Sequence, residues 1–369
     1  MNLFELVVEK SKLHHNFRAV MGMDCPEEVI SIKESLKKER EILQSWCENF
    51  PDRDNKLVKE FQTTFNSSFW EIYLYKLFTD YGFKFNWDYS SPDFYVNLEG
   101  IEFIVEATTA NKADDEKPNE WDKEEPLANV LNRDAYLNYQ NNMNEANRYS
   151  MIRLSNSILS KHKKYKDSYS RLDHVKNKPF IVAIAPFEQP FFYYQYNRPI
   201  MALLYDIYVN EELYYKNPNK YSFPPTEYLN SIEKDNGSEI PLGFFNNDSM
   251  KEISAIIFSP LATWSKTKIY NDSTMHMLNF LTNDGTKVMI EKESIEDGLF
   301  IFHNPYAKYP LDKSLFRKGR ICQVYLEDSS ISENKNITYS KLENGKYLIL
   351  EFNEKHLFSR NSISFSFDK

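Results

Sequence analysis

Hydrophobic side chains are densest just after residue 64, where Phe65, Phe69, Trp70, Ile72, Tyr73, Leu74, Leu77 and Phe78 leave almost no polar face. A run of that length closed by Gly82 predicts a helix of about four turns, covered on most sides. Asn66-Ser67-Ser68 offers cap-type side chains at its start. The period then shortens to two. Residues 94–96 and 101–108 alternate as strands, with Asn97-Leu98-Glu99-Gly100 as the turn between them. On the second strand Ile101, Phe103, Val105 and Ala107 share one face, while Ile104, Glu106 and Thr108 share the other.

A helical stripe returns over residues 147–167, carried by Met151, Ile152, Leu154, Ile158 and Leu159. Arg153, Ser157, Lys161 and Tyr165 recur at four-residue spacing along another face. Residues 179–186 are apolar throughout, as in a central strand covered on both sides. Residues 1–60 read as helices, one opening at Pro26 and a second at Asp52 and Asp54. Residues 109–146 are polar and carry Pro118 and Pro126, which marks an insertion whose own helix begins near Asp134. Further along come a helix near 199–207 and buried strands at 253–258 and 299–302. Two more β-type runs, 321–326 and 347–352, either extend the sheet or form a small C-terminal module. The succession is that of an α/β chain.

Composition removes several function classes. Glycine occurs 9 times in 369 residues, too rarely for a glycine-rich phosphate loop, and no Walker or dinucleotide pattern is present. Cys25, Cys47 and Cys322 are odd in number and widely spaced, which speaks against a disulfide framework and against a structural zinc. No leader pattern and no long apolar run is visible, so a reduced cytoplasm without membrane contact is the expectation. His14-His15 and His303 read as packing or hydrogen-bonded structural residues, not as metal ligands. The formal net charge of −9 disfavours a nucleic-acid partner until its distribution is considered. Residues 148–178 hold Arg148, Arg153, Lys161, Lys163, Lys164, Lys166, Arg171, Lys176 and Lys178 against Asp167 and Asp173. That segment is a candidate phosphate-facing surface.

Three carboxylates stand out together. Glu71 sits inside the apolar helix, where a carboxylate is costly. Asp93 follows Pro92 at the start of the first hairpin strand, and Glu106 lies on the second. Each alone is an ordinary structural residue; the three in helix–strand–strand order are not. Paired strands lie about 4.8 Å apart, so acids on neighbouring strands can converge.

Pro92-Asp93, a twelve-residue spacer and Glu106-Ala107-Thr108, with Glu71 upstream, resemble the PD-(D/E)XK (restriction-endonuclease-like) nuclease superfamily. The resemblance spans residues 62–186, and Thr108 stands where the family carries lysine. Phe302-His303-Asn304-Pro305 is similar to stretches of bacterial proteins carrying this core. The resemblance implies a core of helix, antiparallel hairpin, helix and further strand in a mixed sheet. It divides the chain into a helical extension (1–60), a nuclease core (61–260, with the insertion near 109–146) and a C-terminal mixed α/β elaboration (261–369). It implies Mg2+, with Mn2+ as alternative, held by Asp93, Glu106 and the Ala107 carbonyl, with Glu71 as water-mediated ligand or proton acceptor. Oxygen donors of this kind suit magnesium. Lys161 is the candidate to replace the missing lysine, because a lysine stem is long and flexible; Lys164 is in reserve and Lys112 is weaker. Arg153, Lys161 and Lys164 are the candidate nucleic-acid contacts. The implied function is a DNA endonuclease of bacterial defence or restriction, as a homodimer or with partner proteins. The alternative is a nuclease-fold subunit that binds or assembles without cutting.

Overall fold

The computed structural model describes residues 1–25, 30–110, 133–189, 191–270, 274–282, 284–328, 337–342 and 345–366. A nine-stranded mixed sheet runs through the molecule. Its strands, edge to edge, are Lys84–Phe85, Phe94–Leu98, Ile101–Thr109, Phe180–Ala185, Ala255–Phe258, Phe300–His303, Cys322–Glu327, Tyr347–Glu351 and Ile337–Lys341. Phe94–Leu98 and Ile101–Thr109 form the antiparallel hairpin, closing at Leu98 opposite Ile101. Glu99 and Gly100 both take positive φ there, 53° and 88°, and the Gly100 N–H donates to Asn97 Oδ1. Two consecutive left-handed residues are what a two-residue turn needs to match the strand twist, which explains the glycine.

Phe180–Ala185 pairs in parallel with the Glu106 strand and with Ala255–Phe258. Its side chains alternate between the two halves of the core. Ile181, Ala183 and Ala185 join the cluster under the Phe65–Asp80 helix; Phe180, Val182 and Ile184 join the cluster under the Met143–Asp167 helix. Burial on both faces accounts for its unbroken apolar sequence. The same alternation holds in the hairpin, with Phe103, Val105 and Ala107 on the first side and Ile104 on the second.

The Phe65–Asp80 helix is buried on most faces because the helices Ile30–Trp46 and Leu57–Thr63 cover the side turned away from the sheet. Its start differs from expectation. The N-cap is Thr64, without a side-chain cap bond, and Asn66 and Ser68 are buried inside the first turn. Asn66 accepts from Asn16 Nδ2 at 2.9 Å and donates to Glu188 Oε1 at 2.6 Å, so its amide ties together segments distant in sequence instead of capping. The second long helix begins at Met143, after a separate helix Arg133–Asn141. Pro26, the front of the polar insertion and Lys112 lie outside the described residues.

The C-terminal β-type runs extend the main sheet, Cys322–Glu327 pairing in parallel with Phe300–His303. A separate antiparallel sheet joins Thr274–Thr282, Gly285–Glu291 and Lys355–Ser366. His303 Nε2 donates to Gln323 Oε1 at 2.9 Å, and Asn304 donates to the carbonyls of Met250 and Ile253. Both are framework contacts. His14 accepts the Asn16 N–H and stacks on His15 at 4.2 Å. Among the described residues no helix is long and apolar enough to cross a membrane.

Candidate functional site

Glu106 occupies the position on its strand that faces the Met143–Asp167 helix, and it is 1% exposed. Burying a carboxylate there requires compensation. Lys161 Nζ and Lys164 Nζ both donate to Oε1, at 2.8 and 2.9 Å, and Tyr169 OH donates to Oε2 at 2.9 Å. Burial pushes the Glu106 pKa up, but the two ammonium groups outweigh it and hold Glu106 below the usual carboxylate range. The Tyr169 hydroxyl is pushed well above its ordinary value, by burial first and then by the Glu106 charge, so it remains a donor.

Asp93 sits one residue before the first hairpin pair, Phe94 opposite Val105. Its Oδ2 accepts the Ala107 N–H at 2.8 Å, which locks the side chain beside Glu106. Burial and the neighbouring Glu106 charge push Asp93 up to about 6. Glu71, on the helix across the sheet, is close enough to feel the charges of Asp93 and Glu106. Burial, then the Asp93 charge, pushes it up to about 8, so Glu71 holds a proton at neutrality. Among the described residues no lysine forms an ion pair with either acid, although the Lys161 charge lowers the Asp93 pKa somewhat. Repulsion within a partly desolvated cluster is the physical cause.

The loop before Asp93 is held from both flanks. Arg53 Nη1 donates to the carbonyls of Tyr89 and Ser90 at 3.2 Å and lies 5.7 Å from the Trp87 ring centroid. His174 Nε2 donates to the Ser91 carbonyl at 2.8 Å, with its ring 3.7 Å from that of Tyr89. Arg53 is exposed and close enough to lower the pKa of both Glu71 and Asp93.

The structure therefore gathers Glu71, Asp93, Glu106, Lys161 and Lys164. Arg153 is not with them. It is 2% exposed inside the core-facing part of its helix, so it is not a surface contact as it stands. Lys161 and Lys164 side chains are 22% and 49% exposed, open to solvent beside the acids. Arg53, Tyr169 and His174 escaped the sequence reading. The one local signal for Tyr169 was its position just past the basic helix, and Arg53 had none.

Glu71 and Asp93 offer oxygen donors of the type a hard divalent cation takes, and a cation beside them would relieve their raised pKa values. Glu106 would have to share an oxygen now held by lysine or tyrosine. Among the described residues no group of three or more Asp, Glu, His or Cys side chains is placed to hold a metal ion. Comparison with protein-family models, curated proteins and solved structures finds no match to this chain.

Proposed function

We propose that the protein is a metal-dependent nuclease with a restriction-endonuclease-like core, hydrolysing phosphodiester bonds of DNA, and that Lys161 replaces the lysine absent at Thr108. The supporting observation is the 2.8 Å contact of Lys161 with Glu106, beside two acids that have no such partner among the described residues. Thr108 and Glu106 share one face of their strand, and that face is covered by the Lys161 helix. An ammonium from the helix therefore arrives on the side from which a strand lysine would have come.

Mg2+ bound at Glu71 and Asp93 would polarise a phosphoryl oxygen and lower the pKa of an attacking water. The chain's own residues divide the remaining work. Asp93 is oriented by the Ala107 N–H. Glu71 holds a proton at neutrality in the free chain, so it takes one from the attacking water only after a bound cation or a higher pH has removed its own. Lys161 keeps Glu106 anionic and presents N–H groups towards the charge that develops on phosphate. Arg53 stands at the open side as a phosphate contact.

Incubation of supercoiled plasmid DNA with Mg2+ or Mn2+, with and without chelator, tests this reading, with a labelled RNA run in parallel. Cation-dependent nicking or linearisation supports it; intact DNA under every condition rejects it. A second reading is a non-cutting nucleic-acid-binding or assembly subunit, a homodimer or a member of a defence complex. It draws on the engagement of both Glu106 oxygens by this chain's own donors. Binding of DNA without cleavage would select it.

A further inference from the structure

A cavity of about 600 Å³ lies on the flank of the molecule formed by the end of the Met143–Asp167 helix and the loops packed against it. Four lysines line it: Lys166 from the helix, Lys176 from the following loop, Lys251 before the strand Ala255–Phe258, and Lys308 after Phe300–His303. Among the described residues Glu252 is the only acid of the lining, and His162 Nε2 contacts its Oε2 at 2.8 Å. In a chain of net charge −9, four lysines around one concavity make a local field opposite to the whole. Lys176 and Lys251 pair with Asp173 and Asp248 at the surface, and these exposed, solvent-screened pairs are weak enough for a phosphate to displace. Among the described residues Lys166 and Lys308 form no ion pair.

The cavity is built by contacts between the loops themselves. The Lys308 N–H donates to the Lys251 carbonyl at 2.7 Å, and Tyr309 OH donates to Asn177 Oδ1 at 2.6 Å. Ser254 Oγ donates to the Tyr309 carbonyl at 2.5 Å. The back wall is Tyr165, buried and stacked obliquely on Phe180 at 4.6 Å. Lysines presented by three interlocked segments converge on a shared volume, whereas solvated lysines on one helix face diverge. The volume falls in the range of small-ligand sites, about 300–1,000 Å³. Tyrosine and asparagine side chains at the mouth add polar groups that suit phosphate oxygens or a sugar.

We infer that this cavity binds a ligand carrying two or more phosphates, either a free nucleotide-like molecule or consecutive phosphates of a nucleic-acid strand. The site is separate from the carboxylate cluster, and the inference holds whether or not that cluster cuts DNA. Calorimetry at low salt with inorganic tripolyphosphate, ATP and a short single-stranded oligonucleotide as probes tests it. The measurements compare the intact chain with Lys166→Met/Lys308→Met, with Lys176→Met/Lys251→Met, and with the remote control Lys12→Met/Lys287→Met. All these lysines are exposed, so the variants retain the fold, as circular dichroism melting will check. The expected result is binding of at least one probe, weakened about tenfold or more in each cavity variant and unchanged in the control. Tripolyphosphate and ATP binding would identify a free ligand; oligonucleotide binding alone would identify strand phosphates. Plasmid cleavage measured on the same cavity variants separates this result from the fate of the nuclease reading, because the expected loss of phosphate binding does not depend on whether the parent cuts DNA. Absence of binding by all three probes, or cavity variants that bind like the parent, would overturn the inference.

Discussion

Lys161 Nζ lies 2.8 Å from Glu106 Oε1 although 55 positions separate the two residues in the chain. The contact joins a helix to the strand beneath it, and it holds Glu106 below the usual carboxylate range while the other two acids of the cluster, Glu71 and Asp93, are pushed above it. If the site cuts DNA, Lys161→Met should lower the cleavage rate by about 10²–10³, the usual loss on removing one transition-state donor. DNA affinity should change little. Lys164→Met should be milder, because Lys164 is half exposed and its charge better screened. Equal rates in both variants and the parent, measured by plasmid nicking, would remove Lys161 from the mechanism.

The three acids should not respond alike to neutralisation. Asp93→Asn keeps an oxygen for the Ala107 N–H and relieves repulsion, so it should abolish cleavage while holding or slightly raising Tm. Glu106→Gln takes the counter-charge from two lysines and the acceptor from Tyr169, and should destabilise the fold by ~2–4 kcal/mol. Urea unfolding of both variants decides this. A Glu106→Gln protein as stable as the parent would contradict the ion-pair account.

Stability should depend on pH through Glu71 and Asp93. Their folded pKa values, about 8 and about 6, lie above the ordinary carboxylate range. Between that range and pH 8 the folded chain therefore binds more protons than the unfolded chain, and stability falls as pH rises. Thermal melting without divalent cations should show Tm declining from about pH 5 to pH 8. Glu71→Gln should flatten the decline and add about 1–2 kcal/mol near pH 8, allowing for solvent screening of a partly exposed group. Mg2+ should favour the deprotonated acids and raise Tm most at the alkaline end. A Tm that climbs through this window in the parent would refute the assignment.

Tyr169→Phe removes one hydrogen bond to a buried charged carboxylate, which should cost about 1.5–3 kcal/mol. It should also raise the pKa of Glu106, since the lost donor favoured the anion. In a protein that cleaves, the acidic limb of the pH–rate profile should then move to higher pH. An unshifted limb would mean that Glu106 does not set it.

Arg153→Met tests the surface assignment. A buried guanidinium cannot release counterions from DNA, so the slope of log affinity against log salt should be unchanged while stability falls by a few kcal/mol. Replacing Lys161 and Lys164 together should flatten the slope by up to about two. A flattened slope with Arg153→Met alone would show that the helix opens on binding.

What the sequence determined by itself was local. The hairpin was legible because Gly100 permits the turn and because alternation fixes which side chains share a face. The central strand announced itself because a strand covered on both sides cannot carry polar residues. The same local rules misplaced Asn66, which has the chemistry of a cap but is occupied by Asn16 and Glu188. They also grouped Arg153 with Lys161. An α-helix turns 3.6 residues per revolution, so a row at four-residue spacing drifts by about 40° per step, and Arg153 and Lys161, two steps apart, no longer share a face. Only the tertiary structure decided that Lys161, Lys164 and Tyr169 share Glu106, and that Arg53 and His174 grip the loop before Asp93. Those contacts span from 36 to 83 positions. No local pattern encodes them, because they depend on which faces of separate elements are pressed together when the two halves of the core close on the sheet.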